Sequence, residues 1–131
     1  MSTIAENKDL VVRYLEALSG KPKPESLLRE YLEDEELIEH ILATEISFPE
    51  YELIPEDILA DGDLVAVRAR FIGIHRGPFA DLEPTGKRVD MEAFVNYRIT
   101  NNKIVDHWMI MDSTEMLKQL GVELERVPST Q

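Results

Sequence analysis

The chain has 131 residues, with 14 Lys and Arg against 26 Asp and Glu, a formal net charge of −12. That length makes one domain with one sizeable core, and the 44% apolar and 31% charged shares fit a globular protein rather than a disordered one. The acid excess excludes phosphate-backbone and anionic-membrane binding, which need concentrated Lys and Arg, and zero cysteines exclude disulfides, thiolate nucleophiles and cysteine-ligated metal sites.

The start, Met1 to Asp9, has neither the basic segment nor the apolar run of a signal peptide, and no stretch approaches the ~20 apolar residues of a membrane span. The cytoplasm is the expected location. Thr3 with Glu6 reads as a capping box, and Val11, Tyr14, Leu15 and Leu18 follow helical spacing up to Gly20. Pro24 opens a second short helix carrying Leu27, Leu28, Tyr31 and Leu32. Asp34 caps a third with the stripe Leu37, Ile38, Ile41 and Leu42, which Phe48-Pro49 ends. The period then changes to two. Tyr51 to Leu59 reads as a weak strand, Asp61-Gly62-Asp63 as a turn and Leu64 to His75 as a long strand. A polar loop runs from Arg76 to Gly86. A strictly alternating strand spans Val89 to Ile99, and Thr100-Asn101-Asn102-Lys103 turns into a last strand, Ile104 to Met111. Ser113 to Leu120 reads as a short helix ended by Gly121. The expectation is one domain over residues 1–121, with a mobile tail over 122–131.

Helices followed by an antiparallel meander predict an α+β fold, with the helices on the concave face of a curved sheet and a pocket between the layers. Opposite the apolar face of the 89–99 strand stand Glu92, Phe94, Asn96 and Arg98. On the last strand Ile104, Asp106, Trp108, Ile110 and Asp112 share one face, with Val105, His107, Met109 and Met111 on the other. A solvent face would not normally carry Phe94, Trp108 and Ile110, so this mixed face is expected to line the pocket. Asn96, Arg98, Asp106 and Asp112 are then the polar groups offered to chemistry. Asp112, after Trp108-Met109-Ile110-Met111, has two readings: a desolvated general acid or base, or with Glu115 the cap of the last helix. Arg98 and Asp106 read as a cross-hairpin ion pair.

His75, at a strand end, is expected at the pocket mouth or as a plain strand terminus. His107 reads as a packed or interfacial residue and His40 as a solvated rim residue. The three histidines are too scattered to predict a metal site. No Glu-x-x-His pair, Gly-rich phosphate loop or Gly-x-Ser-x-Gly elbow occurs.

Several segments together carry a resemblance. They run from Asp61-Gly62-Asp63-Leu64-Val65-Ala66-Val67-Arg68 through Gly73-Ile74-His75-Arg76-Gly77-Pro78-Phe79 and Pro84-Thr85-Gly86-Lys87 to Lys103-Ile104-Val105-Asp106-His107-Trp108, Asp112 and Leu117-Lys118-Gln119-Leu120-Gly121. With Phe48-Pro49-Glu50-Tyr51, this ordered set resembles the SnoaL-like polyketide cyclases of the nuclear-transport-factor-2-like superfamily. The resemblance implies a conical pocket of the cystatin-like α+β barrel type, and a homodimer through the sheet. It also implies an intramolecular aldol ring closure of a hydrophobic carbonyl compound without metal or cofactor, with Asp112 as acid/base. Asn96 and Arg98 are the expected donors, and Phe94 and Trp108 the expected stacking surfaces. Ile110, His75, Asp106 and Glu92 complete the expected pocket. The alternatives are a non-catalytic binder of a small hydrophobic molecule, a pure dimerisation module whose pocket is filled by its own side chains, and an epoxide-hydrolase- or isomerase-like enzyme, for which Arg98 beside carboxylates is the pointer.

Overall fold

Thr3 and Glu6 form the reciprocal cap. Glu6 N donates to Thr3 Oγ1 at 3.1 Å and Thr3 N to Glu6 Oε1 at 2.9 Å, starting helix α1 (Ile4–Leu18). The computed structural model describes residues 3–122, so all of the expected tail except Val122 lies outside the described residues. Helix α2 (Glu25–Tyr31) and helix α3 (Glu35–Ser47) follow. Asp34 caps α3 by accepting the Leu37 amide at 3.0 Å. Lys23, which the sequence did not single out, is buried between α3 and the first strand. Its Nζ donates to Glu45 Oε2 at 2.7 Å and to the Lys21 and Tyr51 carbonyls at 3.0 Å, and lies 4.1 Å from the Tyr51 ring centre.

Strands β1 (Glu52–Asp61), β2 (Leu64–Ile74), β3 (Arg88–Thr100) and β4 (Lys103–Met111) pair antiparallel in chain order. Helix α4 (Ser113–Gln119) closes the described chain. The architecture is α+β, helices against one face of a curved four-stranded sheet. Val65, Val67 and Ala69 of β2 and Val95, Tyr97 and Ile99 of β3 form the inner face. They pack against Leu10, Val11, Tyr14 and Leu15 of α1 and Leu37, Ile38 and Ile41 of α3. A second cluster, Phe48, Tyr51, Phe71, Val89, Met91, Met116 and Leu120, carries the core toward α4.

The register of β3 with β4 shifts between Arg98↔Asp106 and Ile99↔Ile104, which leaves Val105 as an extra residue. This bulge restarts the alternation. Ile104 is buried, and beyond the bulge the inner face is carried by His107, Met109 and Met111. The loop after β2 is fastened to the end of α3. Arg76 N and Gly77 N donate to the Ser47 carbonyl, and Ser47 Oγ donates to the Pro78 carbonyl at 2.7 Å. A Cβ built on Gly77 would stand 1.8 Å from the Ile46 carbonyl oxygen, so only glycine permits this approach.

Candidate active-site cavity

Between the inner sheet face, α3, α4 and the loop after β2 lies a cavity of about 1160 Å³. Tyr14, Leu37, Ile41, Phe48, Tyr51 and Phe71 form much of its wall, with Tyr97, Met109, Met111, Phe79 and Met116. Its polar lining comes from Glu36, His40, Thr44, Ser47, His107, Asp112 and Ser113.

His107 stands on this wall, its side chain 9% exposed, and its Nδ1 lies 2.6 Å from Asp34 Oδ2. A carboxylate accepts and does not donate, so the bond places a proton on Nδ1 and fixes the orientation of the ring. Among the described residues no protein group bonds to Nε2. Asp34, 7% exposed at its side chain, uses both oxygens: Oδ1 takes the Leu37 amide and Oδ2 the imidazole. Asp106 Oδ1 accepts the His107 backbone N–H at 2.9 Å. Asp34, Asp106 and His107 therefore bring ligand-type atoms within 4.8 Å of one another. Both Asp34 oxygens and the near imidazole nitrogen are engaged in hydrogen bonds, to the Leu37 amide and to each other.

Tyr14 and Tyr97 face the same cavity edge to face, ring centres 5.7 Å apart. Burial holds the Tyr14 hydroxyl pKa well above its ordinary value, with nearby Tyr97, Tyr51 and Asp34 adding to the effect. Burial likewise raises Tyr97. Both hydroxyls stay protonated; Tyr14 donates its proton to the Tyr97 oxygen, and the Tyr97 proton is the one left to donate. His40 stands exposed at the rim, its pKa lowered first by partial desolvation and then by His107.

The residues singled out in the sequence separate into two groups. Asp112 lines the cavity, but it is exposed and its Oδ1 accepts the Glu115 amide at 3.0 Å as the cap of α4. The cap is the reading the structure gives, and the apolar burial expected around the carboxyl is missing. Glu92, Phe94, Asn96, Arg98, Asp106 and Ile110 are not in the cavity lining. They stand on the outer face of the sheet, where Phe94 is 48% and Ile110 73% exposed. Trp108 contributes to the wall, yet it is 47% exposed and its ring packs with the Arg98 guanidinium at 5.3 Å. Arg98 pairs with Asp63 at 3.4 Å rather than with Asp106. The reversal has a physical cause: the helices cover the face of β3 that carries Tyr97, and the Val105 bulge turns His107 to that side.

His75 is fully buried behind Phe48 and Phe79, and its Nδ1 accepts the Thr85 amide at 3.0 Å, holding the loop after β2. It is a fastening, not a mouth residue. The sequence reading missed the Asp34–His107 pair, whose members are 73 residues apart. The signals present were separate: an N-cap aspartate, and a histidine between valine and methionine.

The family model described as SnoaL-like polyketide cyclase matches residues 32–120. Among solved structures the chain is similar to a candidate SnoaL-like polyketide cyclase from Jannaschia sp. CCS1, at 20% identity, covering 95% of this chain and 98% of that one, TM-score 0.81. It is also similar to AclR, a candidate hydroxylase from Streptomyces galilaeus, at 24% identity over 97% and 87% of the two chains, TM-score 0.79. A third is IdmH, a candidate polyketide cyclase from Streptomyces antibioticus, at 27% identity over 88% and 99%, TM-score 0.74. The search of curated proteins finds no match.

Proposed function

The chain belongs to the SnoaL-like polyketide cyclase family, and from that membership we propose that it is an acid/base enzyme acting on a small hydrophobic carbonyl compound, with His107 as the base. The carrying observation is the 2.6 Å bond from His107 Nδ1 to Asp34, which orients an imidazole with a free Nε2 on the wall of a largely apolar cavity. Nε2 takes the proton from the carbon next to a carbonyl. The electron pair moves to the carbonyl oxygen, and the Tyr97 hydroxyl, whose oxygen accepts from Tyr14, is the donor available to that enolate. In a ring closure the enolate carbon then attacks a second carbonyl of the same molecule, forming one C–C bond. The new alkoxide takes the proton back from the imidazolium, so no atom is gained or lost.

The test needs no knowledge of the natural substrate. Enolisation of 2-tetralone in D2O is followed by NMR as α-hydrogen exchange. The wild type is expected to accelerate it, and His107→Ala to lose about 10²–10⁴-fold of that acceleration. Exchange unchanged in His107→Ala would remove the base from this reading, and loss in Asp112→Asn alone would return the role to Asp112. We further propose a homodimer through the outer sheet face, on the grounds of its exposed Leu59, Phe94, Trp108 and Ile110, with the cytoplasm as the proposed location. Among the described residues no helix is long and apolar enough to cross a membrane.

A further inference from the structure

Charge is distributed unevenly around the cavity. Glu36 and Asp112 line it and are exposed, so both residues stand at its open side, Asp112 with one oxygen on the Glu115 amide. Among the described residues no Lys or Arg lines it. Two cations that touch rings of the lining are occupied elsewhere. Lys23, over the Tyr51 ring, has its ammonium taken by Glu45 and two carbonyls. Arg98, against the Trp108 ring, pairs with Asp63. Of the two histidines in the lining, His107 is tied to Asp34, and His40 has its charged form disfavoured first by desolvation. Around this mouth the chain as a whole carries −12. The wall behind it includes the rings of Tyr14, Tyr97, Phe48, Phe71 and Phe79, and aromatic rings attract cations and apolar rings alike.

We propose that the cavity selects its ligand by charge: it takes hydrophobic compounds that bear a protonated amine at the mouth, and rejects those that bear a carboxylate or phosphate. An anion entering here meets two carboxylates and, among the described residues, no lysine or arginine in the lining. An ammonium meets the same carboxylates as partners, and aromatic faces beyond them. The inference rests on the reading of this cavity as the substrate site, and names the charge class of that substrate.

Three near-isosteric probes test it: 2-naphthylmethylamine, 2-naphthylmethanol and 2-naphthoate, titrated calorimetrically into the full chain. The amine is expected to bind at least about tenfold tighter than the carboxylate, with the alcohol between them, and the ratio is expected to shrink as salt screens the mouth. In Glu36→Gln with Asp112→Asn the ratio is expected to fall several-fold. Asparagine still caps α4 and Glu36 is exposed, so the fold is retained, and Glu36→Gln alone gives a smaller fall in the same direction. A carboxylate that binds as tightly as the alcohol, a ratio indifferent to both substitutions, or binding by none of the three probes overturns the proposal. The two readings fail separately. A charge order retained with no α-exchange overturns the catalytic role alone, and exchange retained with a reversed charge order overturns the selectivity alone.

Discussion

Nδ1 of His107 on β4 lies 2.6 Å from Oδ2 of Asp34, and the other oxygen of that carboxylate caps α3. One side chain thus starts a helix and orients an imidazole across the layer interface. Its position is doubly fixed, by the Leu37 amide on one side and the imidazole on the other, and a group fixed in this way is suited to hold a base in one tautomer.

Substituting Asp34 separates its two tasks. Asp34→Asn retains a cap and is expected to cost about 1 kcal/mol or less of stability. Asp34→Ala loses the cap, about 1 kcal/mol, and strands the nearly buried His107 Nδ1–H, about 1–3 kcal/mol more. Urea unfolding of both variants measures the difference, and equal costs would mean that the imidazole bond contributes nothing to the fold.

Burial raises the pKa of three of the four tyrosines, Tyr14, Tyr51 and Tyr97. Above the unfolded value of about 10 the unfolded chain releases these protons while the folded chain keeps them, so stability falls as pH rises. Their contribution is fully present below pH ~10. The expected result is cooperative unfolding at alkaline pH, with tyrosinate absorbance from the buried rings appearing together with loss of helix by circular dichroism. Full tyrosinate absorbance in a chain that is still folded would contradict it.

Gly77→Ala is expected to destabilise strongly, by about 1–3 kcal/mol or more, because the new Cβ overlaps the Ile46 carbonyl at the dock of the loop after β2. Its neighbours in the cavity wall, Pro78, Phe79 and Ala80, would shift with it. Thermal unfolding and probe affinity are therefore expected to fall together. Gly86→Ala, with nothing within 4 Å of its Cβ but a φ of +72°, is expected to cost about 1 kcal/mol through backbone strain alone.

The outer sheet face makes a different prediction. Phe94 pairs with Ile110 and Asn96 with Trp108 across the hairpin, which gathers three exposed apolar side chains in adjacent rows. If a second copy covers them, sedimentation gives twice the 15.0 kDa chain mass. Phe94→Lys with Ile110→Lys is then expected to give a folded monomer. A wild type that is already monomeric at micromolar concentration rules the dimer out.

Local chemistry was readable from the chain alone. Thr3 and Glu6, Asp34 and Asp112 each mark a helix start because a short polar side chain and a free amide three residues on need no distant partner. The strands and their order of pairing follow from period-two runs joined by turns, and the α+β class follows from that order. The alternation of β3 also divides its residues correctly into two faces. It does not say which face the helices cover, because Phe94, Trp108 and Ile110 make the outer face nearly as apolar as the inner one. That choice was made by tertiary packing, where Tyr97 rather than Asn96 meets Tyr14 of α1. On β4 the pattern is misleading, since the extra residue at Val105 moves His107 to the inner side while strict alternation from Ile104 favours Asp106. The pairing of Asp34 with His107 spans 73 residues. Neither residue alone signals the other, because the geometry that joins them exists only once α3 has packed against the sheet.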